Sequence, residues 1–207
     1  MELVLAIEQL YQTFSKLTKP TKIVNYGCVS CISKDDEKYF LQTPLKKLND
    51  HIFGGIMESG NVIEMGNECY KYFIPRILEL ITIENYDFSF SFVEYIYRDF
   101  AKFDYKNTFN EKERRAVDNF FYSYLEQELA KPKVERDESE IFNIAETGFN
   151  AIPLLEKIQQ RKDWGEIKKE LNYHLYLQEN KWVKSKAEFK IWSKKGTRKS
   201  IINYLSN

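Results

Sequence analysis

The amino-acid sequence predicts an all-α protein, built as a multi-helix bundle or an irregular helical array with little or no sheet. Apolar residues recur at helical spacing over nearly the whole chain. Hydrophobic residues make up 43% and aromatic residues 15% of the sequence, which supplies a sizeable core and excludes disorder of the whole chain. Helix-capping residues precede two of the periodic segments. Any sheet is expected only within residues 21–32.

The first helices are predicted from caps and breaks. In MELVLAIEQLYQTFSKL a stripe of apolar residues follows helical spacing, and Pro20 ends that helix because proline disfavours helical geometry in the preceding residue. Ser33 is predicted to cap a second helix, whose acidic first turn suits the helix dipole. After Pro44, the segment LKKLNDHIFGGIMESG predicts another helix, which its paired glycines weaken.

The middle of the chain contains the strongest apolar periodicity, in NVIEMGNECYKYFIPRILELI. Within it, Pro75 either begins a new helix at its first turn or kinks a longer one. The segment FSFSFVEYIYRDFAKF first alternates as a strand would, but from Val93 its period is helical, so we predict a helix. NEKERRAVDNFFYSYLEQELAK predicts a further helix, capped by Asn110.

The segment KPKVERDESE is a linker candidate, because charged residues dominate it and Val134 is its one apolar residue. We therefore predict a helical domain over residues 1–131. Residues 132–207 form a helical C-terminal extension that packs on this domain or belongs to it. The extension is expected to contain helices around residues 138–147, 151–161, 164–179 and 186–205.

Composition bears on location and on general partners. The 31 basic and 31 acidic residues balance, so no overall field attracts nucleic acid or a membrane. No apolar run approaches the roughly 20 residues that span a bilayer. The opening segment lacks the basic start and uninterrupted apolar stretch of a signal peptide. Three cysteines, an odd number, suit a reducing compartment. We expect a cytoplasmic protein without a membrane partner.

The sequence GCVSC places Cys28 and Cys31 at the spacing of a zinc knuckle. A structural zinc site needs four ligands, and Cys69, His51 and His174 form no second close pair. A redox pair of the thioredoxin type would require a βαβ context, which the sequence does not indicate. We predict that both cysteines are structural, with no metal and no cofactor. A metal-dependent enzyme centred on this pair is kept as an alternative.

Other patterns of catalysis are missing from the sequence. It has no Ser-His-Asp order, glycine-rich phosphate loop or HExxH pattern. The carboxylates between residues 79 and 104 are numerous, but spacing alone does not pair a proton donor with a base. The sequence leaves enzymatic activity undecided and favours a protein without it.

Charge is distributed unevenly. From Glu58 to Asp104 there are nine acidic and four basic residues, whereas from Lys181 to the end there are eight basic residues and one acid. Aromatic residues interleave with this basic tail, and they could stack on bases beside lysines that contact phosphates. The alternatives are a solvated basic helix face with buried aromatics, or a tail that docks on the acidic segment of the same chain.

Three stretches together resemble a group of uncharacterised bacterial proteins. The stretches are GCVSCISKDDEKYFLQTPLKKLNDHIFGGIMES, NECYKYFIPRILELI and FNEKERRAVDNFFYSYLEQEL. The shared features are the cysteine pair, an acidic helix, and a Phe-x-Pro-Arg helix motif that here begins at Phe73. The resemblance covers about residues 26–130. It implies a small cytoplasmic helical protein and brings no activity with it.

Our first hypothesis is a non-enzymatic bacterial protein-interaction module. One version is an immunity protein that inhibits a toxin through an acidic aromatic surface, because such a surface suits a basic partner. The partner-binding candidates are Tyr86, Asp87, Glu94, Tyr95, Asp99 and Asp104. The alternative hypothesis is a nucleic-acid-binding protein that uses the basic C-terminal helix. Its candidates are Lys184, Lys186, Lys190, Lys194, Lys195, Arg198 and Lys199.

Overall fold

A computed structural model describes residues 1–23, 33–49, 53, 67–83, 90–182 and 185–207. Over these residues the chain forms eleven α-helices, one 3-10 turn and one π-helical turn, and no strand. The predicted all-α class is confirmed. Contacts divide the chain into two compact units, Met1–Phe120 and Phe121–Asn207, whereas the sequence prediction placed the division after residue 131.

The helices of the first unit begin where the sequence signals predict. Ser33 accepts a hydrogen bond from the Asp36 amide (3.0 Å), and the Asp36 carboxylate accepts one from the Ser33 amide (3.1 Å). Asn110 and Glu113 form the same reciprocal box, at 3.0 Å in both directions. The elements are α1 (Leu3–Phe14), α2 (Lys34–Gln42), a 3-10 turn (Leu45–Lys47), α3 (Asn67–Leu80), α4 (Phe90–Phe103), α5 (Tyr105–Thr108) and α6 (Glu111–Glu128), which continues past residue 120.

Buried aromatic rings fill much of the first unit. Phe40 packs on Phe73 with ring centroids 4.5 Å apart, and Tyr70 stacks on Phe103 at 4.2 Å. Leu78 is fully buried on α3, which packs against α1. Pro75 lies inside α3, so a single helix spans the Phe-x-Pro-Arg motif.

The second unit contains the remaining helices. They are α7 (Glu140–Glu146), α8 (Ile152–Ile158), α9 (Trp164–Leu177), a π-helical turn (Gln178–Trp182), α10 (Lys186–Trp192) and α11 (Arg198–Ser206). The helix predicted over residues 186–205 is therefore two helices. Gly196 separates them with a φ of +55°, and a Cβ there would lie 2.0 Å from the Ala145 carbonyl oxygen. Only glycine fits this turn without displacing the backbone.

Two residues of the charged segment at 131–140, Arg136 and Glu138, are buried within the second unit, while residues 132–135 are exposed. Arg136 is buried and donates to Glu138 (2.7 Å), to the Leu129 carbonyl (3.4 Å) and to Asp163 (3.2 Å). These bonds attach the predicted linker to the end of α6 and the start of α9.

Two sequence predictions fall wholly or partly outside the described residues. The possible sheet at residues 21–32 is described only at its first three positions, and the cysteine pair not at all. Of the segment predicted as the glycine-weakened helix, residues 45–49 and Phe53 are described, and Leu45–Lys47 form a 3-10 turn.

Candidate functional site

A group of aromatic rings, which we call the aromatic cluster, joins four elements of the second unit. His174 of α9 stacks on Phe142 of α7, with centroids 5.2 Å apart and planes 11° apart. Trp182, at the end of the π-helical turn, makes an edge contact with His174 at 5.1 Å. From α10, Trp192 packs on Phe142 at 5.8 Å and on Phe189 at 5.7 Å.

The aromatic cluster extends from the core to the surface. Phe142 is fully buried and His174 is nearly so, whereas Trp182 is 55% exposed. Phe189 and Trp192 are half-buried. The indole of Trp182 therefore packs against the buried His174 ring on one side, while much of its surface faces solvent.

Arg198 contacts two residues of the aromatic cluster, the backbone carbonyl of Phe142 and the ring of Trp192. Its Nε donates to the Phe142 carbonyl (2.7 Å), and Nη2 donates to Glu146 (2.8 Å). The guanidinium also lies over the Trp192 ring, 4.6 Å from its centroid. Burial lowers the pKa of Arg198, an effect that Glu146 opposes. Arg198 is only 2% exposed and therefore cannot contact a binding partner. Its prediction as a nucleic-acid-binding residue is corrected.

Lys195 is occupied by the same carboxylate. Its ammonium lies 2.8 Å from Glu146 Oε1. Burial acts to raise the pKa of the Glu146 carboxyl, but the hydrogen bonds and charges of Lys195 and Arg198 hold it below its ordinary value. Glu146 therefore forms ion pairs with two of the cations that the sequence assigned to binding, and its single negative charge offsets part of theirs.

Five of the predicted lysines are exposed, and four of these are not paired as Lys195 is. Within the described part of the chain, none of these four lies within ion-pair distance of an acidic side chain. Lys186 and Lys190 stand one turn apart on α10, next to the exposed Ile191. The four are Lys186, Lys190, Lys194 and Lys199. Lys184 lies outside the described residues.

Two exposed tyrosines were missed by the sequence prediction. Tyr173 and Tyr176 are both half-exposed on α9, and their rings stack with centroids 6.3 Å apart and planes 16° apart. Their spacing of three residues, which places them on one helix face, was the available signal.

His174 is a packing residue of the aromatic cluster. Burial lowers the pKa of its imidazole to about 4; the charge of Asp137 acts to raise this pKa, and the charge of Arg198 lowers it further. Its Nε2 is buried and has no hydrogen-bond partner in the described structure. The ring is therefore neutral near pH 7 and available for stacking.

The predicted acidic surface is only partly described. Asp99 is 1% exposed, lies 3.3 Å from Lys102, and has its pKa raised by burial. Its placement on a binding surface is therefore corrected, since α4 turns this carboxylate inward. Asp104 is exposed and accepts a hydrogen bond from Asn107 (2.8 Å). Tyr86 and Asp87, and the side chains of Glu94 and Tyr95, lie outside the described part.

The residues of the metal alternative are only partly described. In the described ranges no three His, Cys, Asp or Glu side chains are grouped to hold a metal ion. Cys28 and Cys31 lie outside those ranges. Cys69 is a free, buried thiol whose pKa is raised to about 12 by burial. Among the described helices, none is both long and apolar enough to cross a bilayer.

Compared with protein-family models, curated proteins and solved structures, the sequence gives no significant match. A function for this chain therefore has to be inferred from its own side chains and their contacts.

Proposed function

We propose that this chain is a non-enzymatic binding protein whose C-terminal unit holds nucleic acid. One observation carries the proposal: the half-exposed indole of Trp182 belongs to an aromatic cluster that also contains rings of α10, the helix that carries the exposed Lys186 and Lys190. This combination is what proteins use to hold a polyanion that also has flat aromatic bases.

Charge supplies the first part of the argument. Lys186, Lys190, Lys194 and Lys199 have exposed ammonium groups without an acidic partner among the described residues. Cations that are not neutralised within the fold can release counterions from phosphates on binding. The protein as a whole has no net charge, so binding is expected to be local to this surface and sensitive to salt.

Exposed aromatic surface supplies the second part. A solvated basic face, the plainest explanation of the tail, accounts for the lysines, whereas a partner-binding surface also gives a role to the half-exposed Trp182. Trp182 is joined in this exposure by Tyr173 and Tyr176 on the preceding helix. Aromatic rings of this kind are enriched where proteins contact partners.

The test is a titration of fluorescein-labelled oligonucleotides at low and moderate salt, read by anisotropy. The double variant Lys186→Glu/Lys190→Glu reverses two charges at the first and fifth positions of α10. Its matched control is Lys34→Glu/Lys38→Glu, because those exposed lysines hold the same two positions of α2. We expect roughly a 10-fold or greater loss in the α10 variant and little change in the control. Absence of binding by the unaltered protein at low salt would refute the proposal.

The immunity-protein version of our first hypothesis stays a prediction. Four of its six candidate residues have side chains outside the described part, and Asp99 is buried. Asp104 is the candidate whose exposed carboxylate can be tested directly.

A further inference from the structure

The indole of Trp182 already contacts the aromatic cluster on one side in the protein without a partner. Its edge contact with His174, at 5.1 Å and 68°, rests on an imidazole that itself stacks on the buried Phe142. A ring supported in this way loses little conformational freedom when another ring covers its exposed side. Trp182 is therefore suited to stacking on a flat partner.

Duplex nucleic acid offers such a ring few partners. In a duplex the faces of the bases cover one another, and proteins read base edges in the grooves with side chains such as Arg, Asn and Gln. The sequence of α10, KAEFKIW, contains none of these three residue types. Its lysines can contact the phosphates of either form and guanine edges in a duplex groove, but the indole of Trp182 finds an open base face only in a single strand.

Single-stranded nucleic acid exposes the flat faces of its bases. These unstacked bases can lie on aromatic side chains while lysines follow the phosphates. Tyr173 and Tyr176 provide a second half-exposed aromatic pair on α9, the helix that also carries His174. Base stacking tolerates any base, so little sequence preference is expected.

We infer that the nucleic acid held by this unit is single-stranded and that one of its bases stacks on the indole of Trp182. This inference rests on the nucleic-acid-binding function proposed above. The exposed lysines of α10 contact the phosphates on either side of the stacked base.

The experiment compares one labelled oligothymidylate with a labelled duplex of equal length, using the full chain and anisotropy as the readout. Trp182→Leu keeps an apolar side chain against His174 but removes the aromatic face, whereas Trp182→Phe keeps both. Tyr39→Ala, which removes an exposed ring from α2, is the control. Circular dichroism and thermal melting establish that each variant is folded.

We expect the single strand to bind about 10-fold or more tightly than the duplex. Trp182→Leu should weaken single-strand binding by about 10-fold, Trp182→Phe by much less, and Tyr39→Ala not at all. A competition with poly-L-glutamate is expected to displace the single strand poorly.

Three outcomes would overturn the inference. Equal affinity for duplex and single strand, with Trp182→Leu unchanged and Lys186→Glu/Lys190→Glu impaired, would leave the proposed function standing and remove only the stacking. Poly-L-glutamate that competes as well as the single strand would assign this surface to an acidic protein partner. Failure of both nucleic acids to bind at low salt would remove the inference together with the proposed function.

Discussion

In the unit formed by Met1–Phe120, the large rings Phe40, Phe73 and Tyr70 are all buried, whereas in Phe121–Asn207 the rings continue from buried Phe142 to the exposed Trp182. The same residue types thus form a closed core in one unit and an open cluster in the other. Aromatic content by itself does not distinguish a packing role from a binding role. The distinction depends on what covers each ring.

Both units contain a buried arginine that bonds a backbone carbonyl and a glutamate. Arg76 donates to the Leu48 carbonyl (2.7 Å) and to Glu79 (2.6 Å), which also accepts the Tyr11 hydroxyl. Arg198 makes the corresponding bonds to Phe142 and Glu146. The third partner differs, however. Glu79 binds a tyrosine of α1, while Glu146 binds the surface cation Lys195.

The largest expected effect is in the closed core of the first unit. Leu78→Asp places an unpaired carboxylate where no exposed surface remains, and we expect it to prevent stable folding of the protein. Circular dichroism and chemical unfolding would measure the loss. Lys38→Asp, at an exposed position, is the control and should fold normally. Similar losses in both variants would show that the core has been misplaced.

The next effect tests whether the two buried arginines have the same role. Arg198→Met and Arg76→Met each keep an apolar stem but remove the side-chain donor to a backbone carbonyl and one of the two hydrogen-bond partners of a glutamate. We expect each to lower the free energy of unfolding by about 3–5 kcal/mol.

The two variants should differ in binding. Arg198→Met should also loosen the Trp192 ring and weaken oligonucleotide binding at temperatures where it is still folded, whereas Arg76→Met should not. Equal binding by the two folded variants would argue that the aromatic cluster does not depend on Arg198. The measurements are denaturant unfolding and anisotropy.

The smallest effect is the pH dependence contributed by His174. Burial lowers its folded pKa from 6.5 to about 4, so the unfolded chain binds a proton that the folded chain resists. The neutral imidazole of His174 therefore makes its full contribution to the free energy of unfolding above pH 6.5, and this contribution is lost as the pH falls toward 4.

His174→Phe should remove this part of the pH dependence, since phenylalanine retains the stacking on Phe142 and has no unpaired nitrogen. Unfolding by denaturant at pH 7.5 and pH 5 would compare the two proteins. We expect the variant to lose less stability between these pH values. An identical loss would mean that His174 is better solvated than its burial indicates.

Local signals in the sequence predicted much of the fold. The caps predicted at Ser33 and Asn110 are confirmed, and each is a reciprocal box between groups only three residues apart. The position of Leu78 in the core follows in the same way from helical periodicity. By contrast, the break at Gly196 was missed, because it depends on the approach of the Ala145 carbonyl from another helix.

The candidate surface was predicted less well than the helices that carry it. The sequence established that the last 27 residues are rich in lysine and aromatic residues, and this required no knowledge of packing. It assigned Lys195 and Arg198 to binding, although both are engaged by Glu146. It also missed the exposed tyrosines of α9.

The adjacent residues Arg198 and Lys199 show where the limit lies. The sequence alone determined that both are cations within the predicted helix over residues 186–205. Only the tertiary structure decided that Arg198 is buried against the Phe142 carbonyl, 56 residues earlier in the chain, while Lys199 faces solvent. Successive residues of an α-helix point about 100° apart, so neighbours can meet different surroundings. Which surroundings they meet depends on the packing of distant helices, and no local pattern of charges contains that information.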